Sequence, residues 1–413
     1  MSEFISWKVY TIDDCCEILD NKRVPINSTS RELRKGDIPY YGANGLQGFI
    51  DDYIFDEPLI LIAEDGGNFE SFATRPIAYR ISQKSWVNNH AHVLRAKRGF
   101  SQDLIFYSLE HKDIQSFIVG GTRAKLNQRA LRSITISLPK YEPEQAKIAE
   151  VLSTVDRAIE QTEEMIAKQK RVKAGLMQNL LTRGIDEQGN LRSGETHKFK
   201  DSPLGRIPEE WEIKTLSELA VVERGKFTHR PRNDPRFYDG DFPFIQTGDV
   251  SLNIGRFITS FSQTLNKAGT KVSKRFEPGT IAITIAANIA DTAILGLPMY
   301  FPDSIVGAVA LHENDTRYLE LMIRRWKPTL QSLAPQSAQK NINLETLKPL
   351  LIPTPTIHEQ KIIGKLYEDF DKELLNNECY FKKLGSLKTA LMRDLLTGKV
   401  RVTPLLQNGE VSV

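Results

Sequence analysis

Apolar side chains recur with 4-3-4-3 spacing along two stretches of the chain. Ile148, Leu152, Val155, Ile159, Thr162, Ile166, Gln169, Lys173, Leu176 and Leu180 occupy the first. At an offset of 215, Ile363, Tyr367, Phe370, Leu374, Asn377, Phe381, Leu384, Lys388, Leu391 and Leu395 occupy the second. A stripe held for more than four heptads predicts coiled-coil helices rather than ordinary surface helices. The segments ahead of each helix carry another pattern. Short apolar runs such as Leu59–Ala63 and Ile281–Ile285 stand between Gly- and Asp-rich turns, which predicts mixed α/β domains.

The chain also repeats itself. Leu176-Met177-Gln178-Asn179-Leu180-Leu181-Thr182 returns as Leu391-Met392-Arg393-Asp394-Leu395-Leu396-Thr397. The same offset aligns Glu144-Gln145 with Glu359-Gln360, and Asp156 with Asp371. Leu126-Asn127 aligns with Ile342-Asn343 one position further on, while Trp7-Lys8-Val9 and Trp211-Glu212-Ile213 open the two mixed segments. This reads as residues 1–141 and a helix over 142–184, a polar connector over 185–205, then 206–356, a second helix over 357–400 and a tail over 401–413. The fold class is therefore α+β: two α/β domains separated by a long coiled coil, with a pseudo-two-fold repeat. Covalent linkage raises the effective concentration of one helix near the other, so pairing within the chain is expected, and antiparallel pairing is the simplest arrangement. Residues 148 to 180 would make a rod of about 48 Å at ~1.5 Å per residue, suited to holding two heads apart. The polar seam positions match in register, Thr162 with Asn377 and Lys173 with Lys388. Such residues either fix register and partner or, for the lysines, merely snorkel out of the seam.

Charge narrows the options. With 55 Lys and Arg against 52 Asp and Glu, the net formal charge is +3, so any nucleic-acid site must be local. Three cysteines, of which Cys15 and Cys16 are adjacent, support neither a disulfide framework nor a four-ligand zinc site. The start, Met1-Ser2-Glu3-Phe4, does not read as a secretory leader, and Ile281–Ala287 is far shorter than the ~18 apolar residues of a membrane span. A soluble cytoplasmic protein is expected.

The order of these segments resembles the specificity subunit of type I restriction–modification systems. The resemblance rests on Gly175-Leu176-Met177-Gln178-Asn179-Leu180-Leu181-Thr182 and on the repeat ending Leu396-Thr397-Gly398-Lys399. It rests equally on the lead-in from Phe199-Lys200-Asp201-Ser202-Pro203-Leu204-Gly205-Arg206 to Ile207-Pro208-Glu209-Glu210-Trp211. Ile38-Pro39-Tyr40-Tyr41-Gly42-Ala43-Asn44-Gly45 and Phe244-Ile245-Gln246-Thr247-Gly248-Asp249-Val250 add to it. The resemblance implies two target recognition domains that each read half of a bipartite DNA sequence. It implies helices that space them and dock two methyltransferase subunits. It also implies restriction and translocase subunits recruited through those partners, as part of phage defence. S-adenosylmethionine, ATP and Mg²⁺ would then belong to the partner chains and no cofactor to this one.

Candidate DNA-binding residues fall on predicted loops. The loop from Arg224 to Arg236 carries Arg224, Lys226, His229, Arg230, Arg232 and Arg236, with Gly225, Pro231 and Pro235 to keep it irregular. Lys22 and Arg23 form a weaker counterpart. Tyr40, Tyr41 and Asn44 combine hydrogen-bonding side chains with a Gly turn, although Asn44-Gly45 is equally an ordinary hairpin turn. Asn68, Asn89, His90, Gln246 and Asn288 are further candidates, with His90 and His92 alternatively read as buried structural histidines. Arg123 and Lys125, and Lys340 at the equivalent place, follow small residues in a pattern suited to phosphate.

No P-loop and no Asn or Asp followed by Pro-Pro is present, so the chain is expected to be non-catalytic. Two rival readings are a coiled-coil scaffold without a DNA role and a metal-dependent nuclease built on Glu64-Asp65.

Overall fold

A computed structural model describes residues 7–120, 124–333 and 341–407. The chain forms two compact units, one made of Met1–Met165 with Asn377–Val413 and the other of Ile166–Asn376. The helices that matter here are α1 (Gln102–Glu110), α2 (Glu142–Arg183), α3 (Thr316–Arg325) and α4 (Ile357–Leu395). The 42-residue α2 and the 39-residue α4 each belong partly to both units.

In the first unit, β1 (Trp7–Thr11), β2 (Cys16–Ile18), β3 (Ile38–Gly42), β4 (Gly45–Ile50) and β5 (Leu59–Ala63) come first. They are followed by β6 (Ala78–Ile81), β7 (Trp86–Val87), β8 (Ala91–Ala96) and β9 (Thr135–Pro139). A four-stranded sheet has the order β2-β8-β5-β6, a three-stranded sheet the order β4-β3-β7, and β1 pairs with β9. Every residue of the central strand β5 is buried, which explains its unbroken apolar run: a strand covered on both faces has no polar side to alternate.

The second unit repeats this plan. Its connector holds the short strands β10 (Phe199–Lys200) and β11 (Ile207–Pro208). Then come β12 (Glu212–Thr215), β13 (Ala220–Arg224), β14 (Tyr238–Phe244), β15 (Phe257–Ile258), β16 (Gln263–Leu265) and β17 (Lys274–Phe276). The remaining strands are β18 (Ile281–Thr284), β19 (Thr292–Leu295), β20 (Met299–Phe301), β21 (Ile305–Ala310) and β22 (Leu351–Thr354). The sheets β13-β21-β18-β19-β15 and β16-β14-β20-β17, with the pair β12-β22, reproduce the first unit's connectivity plus an extra edge strand on each sheet.

The helix pair is antiparallel in both units. In the first, Ile148 and Leu152 near the start of α2 share a core with Leu395 at the end of α4. In the second, Leu180 at the end of α2 shares a core with Ile363 near the start of α4, and Leu176 packs against it. Every proposed seam position is buried or half-buried, including Val155, Ile159, Ile166, Phe370, Leu374, Phe381, Leu384 and Leu391.

The seam lysines do more than snorkel. Lys173 Nζ lies 2.6 Å from Asp371 Oδ1 in the second unit, and Lys388 Nζ lies 2.9 Å from Asp156 Oδ1 in the first. Each lysine of one helix thus meets the repeat-equivalent aspartate of the other. Burial pushes the Asp371 carboxyl up, but the Lys173 hydrogen bond and the charges of Lys173 and Arg256 outweigh it and hold the group below its ordinary value. Lys388 also reaches Glu110 Oε1 of α1 at 3.0 Å, which ties the seam to the sheet-packing helix.

A second matched device closes each unit. Glu359 in the first turn of α4 accepts a 2.6 Å hydrogen bond from Arg192, and one of 2.8 Å from the Ile185 amide just past α2. Glu144 in the first turn of α2 takes Arg401, just past α4, at 2.6 and 2.7 Å. Gly184, directly after α2, and Gly398, three residues past α4, have φ of 63° and 69°, a conformation that suits Gly. A side chain at either would strike a tryptophan, Trp211 for Gly184 and Trp7 for Gly398. Gln145 and Gln360 complete the pattern. Each accepts from the backbone N–H of the residue before α1 or α3, Ser101 or Asp315, and donates to Pro139 or Pro355 O.

Candidate nucleic-acid interface

In the first unit the loop that follows β5 is the gathering point. Asn44, in the two-residue turn Ala43-Asn44 between β3 and β4, donates to Gly66 O at 2.7 Å and braces this loop, while Gly45, expected in the turn, is the first residue of β4 and pairs with Gly42. His90 Nδ1 lies 2.7 Å from Asp65 Oδ1, and Lys125 Nζ lies 3.0 Å from Glu64 Oε1. Arg23 Nη1 donates to Glu64 at 2.8 Å and to the carbonyls of Asn89 and Ala91 at 3.3 and 2.8 Å. Five candidates (Arg23, Asn44, Asn89, His90 and Lys125) therefore share one loop cluster. Asn44, Asn89 and Lys125 are exposed there, as is Lys22 beside Arg23.

The other first-unit candidates lie elsewhere. Tyr40 is buried, with its hydroxyl donating to Ile26 O, which corrects the expectation that it stands at a loop tip: it is a strand residue facing the core. Tyr41 is half-buried against a small apolar cluster of Leu59, Leu61 and Val93. Asn68 is half-buried and donates to Pro76 O at 3.1 Å. Arg23 is itself largely covered, so its role is to hold the loop together rather than to reach outward. Arg123 and Lys340 lie outside the described residues.

His92 is buried, with Nδ1 2.6 Å from Asp20 Oδ2 and Nε2 2.8 Å from Leu126 O. Asp20, Glu64 and His92 place ligand atoms within 4.8 Å of one another, a spacing that suits a cation. Protein groups already supply that charge, since Arg23 and Lys125 both pair with Glu64. Burial raises the Glu64 carboxyl, but hydrogen bonds from Arg23 and Lys125 overcome this and leave it below its ordinary value. Asp20 behaves alike: burial opposes, and the His92 hydrogen bond and charge prevail.

In the second unit the basic loop folds back on the turn between β20 and β21. Arg224 Nε donates to the Asp303 carbonyl at 2.6 Å, Arg230 Nη2 lies 2.7 Å from Asp303 Oδ2, and Arg232 contacts Asp303 Oδ1. Arg236 and His229 instead share Asp234, at 2.6 and 3.1 Å. The Arg236 hydrogen bonds hold the Asp234 carboxyl well below the usual carboxylate range. Lys226 is exposed on the same loop. Beside it opens a cleft of about 470 Å³ lined by Phe227, Arg232, Tyr238, Phe244, Gln246 and Gln263. Gln246 Nε2 donates to Gln263 Oε1 at 3.0 Å, so the two amides stand together. Asn288 is exposed and donates to Ser251 Oγ at 2.9 Å, in a loop that turns through left-handed Ala287 and Ala290. A non-Gly residue at positive φ costs energy, and two in one loop mark a shape imposed by its surroundings. Sequence reasoning missed Asp303, Gln263 and Ser251, which act only because other loops meet them.

Cations on irregular loops, flanked by amide and hydroxyl tips, are groups suited to phosphates and base edges, and the arrangement occurs in two units of like topology. Residues 5–169 and 208–379 match the type I restriction modification DNA specificity domain, and the chain belongs to that family of specificity subunits. It is 27% identical over 427 residues to the type I restriction enzyme MjaVIII specificity subunit of Methanocaldococcus jannaschii, covering 97% of this chain and 94% of that one. Its fold is similar to that of a type I restriction–modification S subunit from M. genitalium, with a TM-score of 0.66 at 15% identity, over 96% of this chain and 97% of the other. A chain in a solved type I R-M system gives a TM-score of 0.51 at 14% identity, over 94% of this chain and 97% of that one. The chain is accordingly a non-catalytic subunit that recognises DNA in sequence-specific fashion for a type I complex. Among the described residues no helix is long and apolar enough to cross a membrane.

Proposed function

We propose that residues 1–141 and 206–356 are target recognition domains that each read one half of a bipartite double-stranded DNA site. The helical regions 142–184 and 357–400 dock two copies of a methyltransferase subunit, and restriction subunits join through them in the cytoplasm. The observation that supports this best is the duplicated head, with the same sheet order and the same helix closure but different loops. Like helix pairs suit identical partners, while unlike loops suit unlike half-sites. Within the heads, the reading residues are taken from the exposed and half-buried members of the two loop clusters: Lys22, Asn44, Asn89, His90 and Lys125 in the first, and Arg224, Lys226, Arg230, Arg232, Gln246 and Asn288 in the second. S-adenosylmethionine, ATP and Mg²⁺ would be used by the partners.

Mapping N6-methyladenine in the host genome with and without this gene tests the reading. One bipartite motif with an unread spacer should lose its methylation on deletion; an unchanged methylation map rejects the proposal. At the level of single residues, Arg230→Ala combined with Arg232→Ala should weaken duplex binding by about tenfold or more near 0.15 M salt. The same change should flatten the slope of log K against log salt by up to about two. Fluorescence anisotropy across a KCl series measures both, and a parental slope would remove the loop from the interface.

A further inference from the structure

The turn between β20 and β21 presents one carboxylate to an excess of arginine. Arg230 and Arg232 both reach the Asp303 side chain, and Arg224 is held on its backbone carbonyl. Two guanidinium groups meet the carboxylate and a third is held beside it on the backbone, so the group keeps two positive charges in excess. Arg230 is also pre-set. Arg230 Nη1 donates to the carbonyls of Phe227 and His229 at 2.5 and 2.8 Å, which fixes its plane before any ligand arrives. The two arginine side chains are 56% and 40% exposed while Asp303 is 29% exposed, so the cationic side faces solvent and the carboxylate sits behind it. Gly225 packs so closely on this turn that a Cβ there would lie 2.1 Å from Pro302 O, which keeps the loop seated on Asp303.

A carboxylate held by two guanidinium groups presents one negative charge shared by two oxygens, as the two non-bridging oxygens of a phosphodiester do. We propose that Arg224, Arg230 and Arg232 form an oxyanion site for one backbone phosphodiester of DNA, and that Asp303 is its internal occupant in the free chain, displaced when DNA binds. This rests on the DNA-reading function above and adds a competitor to it. Asp303 lowers affinity for any duplex, because each phosphate engaged must replace a contact already made. That trims sequence-independent binding, so that base contacts decide where the protein stays.

The test uses the full chain, alone and assembled with its methyltransferase subunits, titrated with a labelled duplex of arbitrary sequence over a KCl series. Asp303→Asn should bind about fivefold more tightly near 0.15 M salt, with the salt slope steeper by about one. Asp303→Glu, which keeps the charge, should follow the parent. Weaker binding by Asp303→Asn, or an unaltered slope, overturns the proposal and would instead make Asp303 a base-reading or purely structural group. Inorganic phosphate titrated as a competitor separates the two sources of oxyanion. Displacement of duplex by millimolar phosphate beyond its ionic-strength effect would make this a free-anion site and overturn the assignment to the DNA backbone. If Asp303→Asn does not fold, Arg230→Gln carries the question, since it must flatten the slope by about one. A parent that binds no duplex even at low salt would sink the DNA reading itself, whereas a binding parent with an indifferent Asp303→Asn sinks only the competitor.

Discussion

Glu359→Ala is expected to lower the stability of the second unit by about 3–5 kcal/mol, the range for breaking one side of a buried ion pair. The side chains of Arg192 and Glu359 are only 7% and 8% exposed, so the guanidinium left behind would have little water to replace its partner. Glu359 Oε2 also lies 3.3 Å from the Trp211 indole N–H and 3.2 Å from Arg192 Nη2, and Oε1 accepts from the Ile185 amide. Alanine therefore orphans an indole and an amide together, and leaves Arg192 with only the exposed Glu210, 3.2 Å from its Nη2. Glu359→Gln keeps an acceptor oxygen and should cost clearly less. Urea unfolding of the full chain, read alongside hydrogen exchange at the Ile185 amide, gives the comparison. A Glu359→Ala protein within about 1 kcal/mol of the parent, the worth of an exposed pair, would show that the clasp carries little.

That clasp illustrates what the chain reveals before folding and what it conceals. Glu144 and Glu359 stand out at once as repeat partners, and so do Trp7 and Trp211. Their mates do not. Arg192 and Arg401 are 209 apart rather than 215, because the segments after the two helices differ in length, and no fixed offset finds them. The lysines of the seam are an intermediate case. Lys173, Lys388, Asp156 and Asp371 are all visible as repeats, yet each lysine pairs with the aspartate of the other repeat, a fact that appears only once the helices cross in opposite directions. Periodicity gave the seam itself because helix geometry is local, with every contact set by positions three or four apart. The loop sites were legible by residue type only. Arg23 and Tyr40 look as available as Arg230 and Asn44 in the sequence, but Arg23 is drawn onto Glu64 and Tyr40 takes the core side of its strand. Asp303 lies 73 residues beyond Arg230, and nothing short of tertiary structure joins them.

The lysine–aspartate pairs also define where the helices can be shortened. On α2 the stretch 157–172 lies between Asp156 and Lys173, and on α4 the stretch 372–387 lies between Asp371 and Lys388. Removing the facing heptads 159–165 and 379–385 keeps the 4-3 seam, both ion pairs and both clasps. If helix length sets the unread spacer, as the resemblance to specificity subunits implies, the loss of about 10 Å of helix should move the preferred spacer down by about three base pairs. Translation is not the whole effect. Three base pairs also turn the far half-site by about 100° around the DNA axis, whereas deleting one heptad leaves the coiled-coil face almost unrotated. The shortened protein should therefore lose most methylation of its original sites and regain only part of it on shorter spacers. Sequencing N6-methyladenine in cells that carry only the shortened chain reads both quantities. Retention of the original spacer at parental level would mean that the two reading heads are not spaced by these helices.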